Sequence, residues 1–207
     1  MQTLLHPCYF GSIANYVAMA KAKKVIFEAC DNFQKQTLRN RTYIYGANGK
    51  LLLNLPILHT KEGKKRLYKD IKIEHQFSSL KIHWKSLESA YRTSPYFEFY
   101  EDELAPLFEK KPEFLMDFNF ECQTAMLDCL QLVFSSKKSV NYAVEMPNEQ
   151  IDHRGLVNAK KETIGASFSK YNQVFESKYG FIPNLSILDL LFNQGPNATT
   201  YLEAQEL

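Results

Sequence analysis

The runs Thr3-Leu4-Leu5-His6-Pro7 and Val25-Ile26-Phe27-Glu28-Ala29, with Ser12-Ile13-Ala14-Asn15-Tyr16-Val17 between them, read as strand, helix, strand. Pro7 fixes its own φ and offers no N–H, so the first strand ends at His6. Ser12 is a natural N-cap, and Ile13, Tyr16, Val17 and Ala20 recur at i, i+3, i+4 and i+7, one stripe of a helix. If the two strands are neighbours, His6 stands at the carboxyl end of one, with Glu28 and Asp31 at that of the next. Open α/β sheets bind their ligands at those ends.

Downstream the period changes to two. Arg39, Arg41, Tyr43 and Tyr45 alternate with Asn40, Thr42 and Ile44, which would set both arginines on one strand face. Gly46-Ala47-Asn48-Gly49 turns that strand into Leu51-Leu52-Leu53-Asn54-Leu55, closed by Pro56, a β-hairpin. Lys61 to Lys65 reads as a solvated polar turn, and Ile71 and Ile73 as a further short strand. Trp84, Leu87 and Tyr91 mark a helix face ending before Pro95, and Ser94 is expected to cap the next helix. From Glu113 to Val133, Leu115, Phe118, Cys122, Ala125, Cys129 and Leu132 step by three and four, a core helix.

Residues 135–167 have little periodicity and carry Asp152, His153, Arg154, Lys160 and Lys161, as a lid or a flexible binding loop would. Tyr171 to Tyr179 is helix-like and stops at Gly180. In Asn184-Leu185-Ser186-Ile187-Leu188-Asp189-Leu190, Ser186 and Asp189 have capping-box spacing and Leu185 with Leu190 fits a hydrophobic staple, so a helix start outweighs a nucleophile. Gly195-Pro196 stops that helix.

The 207 residues are 45% apolar and 14% aromatic, enough for a sizeable core in one domain. A formal charge of +2, spread along the chain, gives no footprint for nucleic acid. Cys8, Cys30, Cys122 and Cys129 lack a CxxC pair, so they read as reduced thiols without metal. No signal-peptide pattern or membrane-length apolar run is present, and a soluble cytoplasmic protein without a transmembrane segment is expected.

Several side chains are candidates for chemistry. His6 reads as a general base or as an imidazole satisfied by a backbone carbonyl. Cys8 is a nucleophile only if His6 faces it. Glu28 and Asp31 suit a divalent cation such as magnesium, or a sugar hydroxyl, or else a hydrogen-bonded strand end. Gln34, Lys35, Arg39 and Arg41 are the kit for a diphosphate, or the charged face of an edge strand. No glycine-rich phosphate loop, GxSxG elbow or HExxH motif occurs.

The motifs His6-Pro7-Cys8-Tyr9-Phe10-Gly11, Val25-Ile26-Phe27-Glu28, Phe33-Gln34-Lys35, Arg39-Asn40-Arg41, Trp84 to Phe97 and Asn184 to Pro196 together resemble the WbqC-like family. That family is associated with bacterial O-antigen and other cell-envelope polysaccharide biosynthesis. The chain departs from it at His6, where glutamine is expected, at Ala29, where an acid is usual, and at Leu38, where an aromatic is usual. The order of elements gives an α/β (or α+β) fold, a single domain with a mixed sheet from the N-terminal half and helical cover from the C-terminal half. The resemblance implies a cytoplasmic group-transfer enzyme acting on a nucleotide-activated sugar, or a non-catalytic binding subunit of such a pathway. His6, Glu28 and Asp31 are then the catalytic candidates, and Tyr9, Gln34, Lys35, Arg39, Asn40 and Arg41 the ligand-binding ones.

The cysteine spacings carry a direct expectation. Thiol titration of the freshly purified, denatured protein should find all four cysteines free. Fewer free thiols without added oxidant, or stoichiometric zinc by elemental analysis, would contradict it.

Overall fold

A computed structural model describes residues 1–59, 66–144, 147, 149–158 and 168–207. Strand β1 (Gln2–Leu5), helix α1 (Ile13–Ala20) and strand β2 (Lys24–Phe27) form as expected, and β1 pairs parallel with β2 in the register Leu5↔Phe27. Asn15 closes the start of α1, its Oδ1 accepting from both the N–H and the hydroxyl of Ser12. The hairpin is also present: β3 (Arg41–Gly46) pairs antiparallel with β4 (Gly49–Asn54), and only Ala47 and Asn48 lie between Gly46 and Gly49.

Helices α2 (Ser79–Tyr91), α3 (Phe97–Glu109) and α4 (Leu115–Leu130) follow. Strands β5 (Ser135–Lys138) and β6 (Gln150–Asp152) come next, then the short α5 (Glu176–Tyr179), α6 (Ile187–Gln194) and α7 (Ala198–Ala204). Among the described residues, β5, β2, β1 and β6 form one sheet in that order, all parallel, and β3 with β4 a separate pair. The α/β class read from the sequence therefore holds, with parallel and antiparallel pairing both present. Leu5, Val25 and Phe27 lie on the side that meets the helices, and Phe27 meets Phe120 of α4 edge-on at 5.5 Å. Leu4 and Ile26 on the opposite face are also buried, as a parallel sheet requires.

Several expectations change. Two strands of the sheet come from residues 135–152, where a lid or loop is expected, because β5 is an exposed edge strand recruited through its backbone. Lys160 and Lys161 of that loop, and the Lys61 to Lys65 turn, lie outside the described residues. Ile73 and Lys72 make isolated antiparallel bridges to Ile57 and Phe114, not a strand. Ser94 does not cap α3; its hydroxyl donates back to the Tyr91 carbonyl and Tyr96 holds the cap position. Of the helix expected over Tyr171 to Tyr179 only Glu176–Tyr179 forms, because Tyr171 and Gln173 turn inward to Asp189.

The segment before α6 joins the two sheets. The Ser186 N–H donates to the Tyr43 carbonyl and the Ile187 N–H to the Gly11 carbonyl. The Ser186 hydroxyl accepts from the Leu188 N–H at 3.3 Å and donates to the Phe10 carbonyl at 2.9 Å. Asp189 takes no part in a reciprocal capping box, because its carboxylate accepts from Tyr91 (2.7 Å), Tyr171 (2.5 Å) and Gln173 (2.8 Å). Gly195 ends α6 at φ 51°, and a Cβ there would lie 2.5 Å from the Tyr96 ring. Among the described residues, no helix is long and apolar enough to cross a membrane.

Loss of the cap sets the expected cost of Ser186→Ala at about 1 kcal/mol in urea denaturation. The Phe10 carbonyl keeps the Thr42 hydroxyl as a partner, which holds the cost down. Full stability combined with lost ligand binding would refute the capping role.

Candidate functional site

Because the four long-sheet strands are parallel, their carboxyl ends share one edge, and each releases a polar residue there. His6 follows β1, Glu28 follows β2, Ser139 follows β5, and Arg154 lies two residues past β6, whereas the His153 ring turns back to Thr3 at 2.8 Å. In chain order the strands run third, second, first, fourth across the sheet, so the winding reverses between β1 and β6. That reversal is where open α/β sheets form a ligand crevice.

At the β1 end, Arg39 is the largest fully buried side chain, with none of its surface exposed. Its Nη2 donates to Asp31 Oδ2 at 2.6 Å and to His6 Nε2 at 2.8 Å, and Nη1 reaches the Asn32 carbonyl at 3.3 Å. A guanidinium only donates, so Nε2 is the acceptor and the His6 ring proton sits on Nδ1. Burial, then the Arg39 and Arg154 charges, pull His6 down to about 3, against a backbone hydrogen bond to Glu28 that acts the other way. His6 is thus a neutral acceptor that helps hold Arg39. The guanidinium also lies 5.2 Å from the Tyr68 ring centre, and its own residue's carbonyl accepts from Asn119 at 2.6 Å. Asn119 contacts the Tyr68 hydroxyl in turn, and Tyr68 donates to the Pro7 carbonyl.

At the β2 end, Glu28 is fully buried. Its Oε1 accepts from the Cys30 N–H at 2.8 Å and the Ser139 hydroxyl at 2.7 Å. Oε2 accepts no hydrogen bond among the described residues and faces Arg154 Nη1 at 3.6 Å. Arg154 is held by Asp152 (Nη2 to Oδ2 2.7 Å, Nε to Oδ1 3.0 Å), by the Ala143 carbonyl at 2.9 Å and by the Tyr142 ring. That pairing holds the Asp152 carboxyl below its usual range.

The sequence candidates therefore separate. His6, Asp31 and Arg39 meet in one cluster and Glu28 lies at the neighbouring strand end. Arg39 precedes β3, so the alternation that would place it beside Arg41 does not reach it. Arg41 is half-buried and its Nε donates to Asn54. Gln34 and Lys35 are exposed on the preceding loop. Asn40 pins the hairpin through the Leu55 carbonyl, and Tyr9 is fully buried with its hydroxyl on His83 Nδ1 at 2.8 Å. Cys8 donates to the His6 carbonyl, not to its ring, and burial pushes the thiol up to about 12, so it is not an activated nucleophile. Sequence reasoning missed Ser139, Tyr68 and Asn119 as members of this polar edge. For Asn119 the signal was an amide between Phe118 and Phe120, whereas Tyr68, beside Lys69 and Asp70, gave none.

Magnesium does not fit this donor set. Asp31 is neutralised by Arg39 and the free Glu28 oxygen faces Arg154. Among the described residues, no group of three or more His, Cys, Asp or Glu side chains is disposed to hold a metal ion. A cavity of about 270 Å³ lies at the opposite, amino edge of the sheet, lined by Gln2, Thr3, Ala18, Lys21, Ile151 and His153 among others. We place the site at the carboxyl edge, where the polar strand ends converge, and not in that mainly apolar hollow.

A family model described as the WbqC-like protein family matches residues 6–163 and 158–201. No curated protein and no solved structure matches the chain.

The neutral state of His6 has a measurable consequence. Folded His6 binds a proton only near pH 3, while the unfolded chain does so near 6.5, so stability falls as pH drops through that window. Between pH 7 and 5 the loss from this group should be about 2 kcal/mol by urea denaturation. In His6→Gln, whose amide oxygen also accepts from Arg39 and does not titrate, most of that loss should vanish. His83, drawn down to about 4 mainly by burial, leaves a residual slope of the same sign. An unchanged pH dependence in the variant would overturn this account.

Proposed function

The chain belongs to the WbqC-like protein family, and from that premise we propose a cytoplasmic enzyme of O-antigen-like envelope polysaccharide biosynthesis that binds a nucleotide-activated sugar at the carboxyl edge and takes part in group transfer. Family membership ties the chain to a polysaccharide-related pathway. One observation carries the finer reading. The parallel strands reverse their order between β1 and β6, and polar groups from all four ends gather there, including a buried carboxylate oxygen without a hydrogen-bond partner among the described residues.

The charges suit such a ligand. Arg154 and Glu28 offer a donor and an acceptor to a sugar hydroxyl, and exposed Lys35 offers a cation to phosphate. Gln34 and Lys35 are exposed on the loop after β2, free to meet the outer part of a bound molecule. Of the candidates His6, Glu28 and Asp31, Glu28 is the one we keep as catalytic, whereas His6 and Asp31 position Arg39. The same geometry also favours a second reading, a non-catalytic binding subunit, because His6 Nε2 is occupied and Cys8 is held protonated.

A thermal-shift screen against nucleotide sugars, with and without magnesium, tests the proposal. A ligand at a hundred times its Kd should add about 2.7 kcal/mol of stability and raise the melting temperature visibly. Mass spectrometry of the positive mixtures then separates the readings, since product formation supports the enzyme and its absence the binding subunit. A screen in which no nucleotide sugar shifts the transition rejects both.

A further inference from the structure

We propose that Glu28 and Arg154 act as a pair that reads one ribose hydroxyl of a bound nucleotide. This deepens the nucleotide-sugar reading and rests on it. Glu28 is the first residue beyond β2, about 20 residues after the β1–α1 turn, in a sheet whose strand order reverses beside β1. In dinucleotide-binding sheets of that order an acid at this place hydrogen-bonds the ribose 2′-hydroxyl.

The local chemistry is independent of that analogy. Oε1 of Glu28 has two donors, whereas Oε2 is buried and, among the described residues, has none. Its neighbour, Arg154 Nη1, stands at 3.6 Å, beyond hydrogen-bond range but close enough for one oxygen atom to contact both groups. A hydroxyl both donates and accepts, so it satisfies Glu28 Oε2 with its proton and Arg154 with its lone pair. A phosphate oxygen there would be repelled by Glu28, and a metal cation by Arg154. Bonds to Asp152 and Ala143 and the Tyr142 ring fix the guanidinium before any ligand arrives. The β1–α1 turn, with Gly11 as its sole glycine, lacks the glycine-rich dinucleotide fingerprint, so the inference concerns the ribose and not a second nucleotide.

The test is calorimetric titration of the protein with the four common ribonucleoside 5′-diphosphates and their 2′-deoxy and 3′-deoxy counterparts. At least one ribonucleotide should bind roughly tenfold or more tighter than one of its deoxy forms, the scale of a hydrogen bond to a charged group. Glu28→Gln keeps an acceptor for Cys30 and Ser139 but turns a donor toward Arg154, and should bring the two affinities together. Arg154→Met should do the same. Equal binding of ribo and deoxy forms to the unaltered protein overturns this inference and leaves nucleotide binding standing. A preference that survives both substitutions overturns the assignment to this pair. If no diphosphate binds, the nucleotide reading fails and the inference with it. Should Glu28→Gln not fold, the unaltered protein and Arg154→Met still decide.

Discussion

A fully buried guanidinium is the constraint on which the rest of this structure depends. Taking the Arg39 charge out of water costs several kcal/mol, and the fold holds it only because Asp31 and His6 converge on a single nitrogen. Those partners come from the loop after β2 and from the end of β1, while Arg39 itself leads into the hairpin. Asn119 of α4 and Tyr68 close the ring around it. The parallel sheet, the hairpin and the core helix are thus tied at one point; loss of Asp31 would leave an uncompensated charge inside the protein, and loss of His6 a buried N–H without its acceptor.

A second polar centre performs the same task at the other end of the hairpin. Asp189 is buried, which raises its pKa, and three donors from Tyr91, Tyr171 and Gln173 work against that shift. Tyr91 also accepts from the Tyr45 N–H, so α2, β3, α6 and the segment after residue 168 meet there. The two centres differ in chemistry. One is a cation relieved by acceptors and the other a carboxylate relieved by neutral donors, and neither is exposed enough to meet a ligand without rearrangement.

Local pattern was legible wherever a residue's neighbours in sequence were also its neighbours in space. The β1–α1–β2 unit, the Gly46 to Gly49 hairpin, the stripe of α4 and the Ser186 cap are of that kind. β5 was not, because Ser135-Ser136-Lys137-Lys138 is an edge strand exposed along its length and pairs through backbone groups that carry no sequence signal. β6 is three residues long and escapes for the same reason. The alternation over Arg39 to Tyr45 misled by one pair of residues, since the strand begins only at Arg41 and the arginine before it is claimed by Asp31 and His6. Asp189 looked like a capping residue because its spacing from Ser186 is local, whereas its partner Tyr91 lies 98 positions away.

At the site, the candidates His6, Glu28 and Asp31 were legible from their place at strand ends, and Ser139 was not, because its strand was not. The two arginines drawn to this edge then differ in what they can do. Arg39 has no exposed surface and three partners, so an incoming anion could reach it only by displacing Asp31 from a 2.6 Å ion pair. Arg154 keeps 12% of its side chain exposed, its partner Asp152 keeps 38%, and its contact with Glu28 is long. Both arginine–carboxylate pairs are similarly buried, but breaking a 2.6 Å hydrogen-bonded pair costs more than opening a 3.6 Å contact that carries no hydrogen bond. The energetic asymmetry therefore assigns Arg39 to holding the edge together and leaves Arg154, with the unsatisfied oxygen of Glu28 beside it, as the part of the edge that can change partners when a ligand arrives.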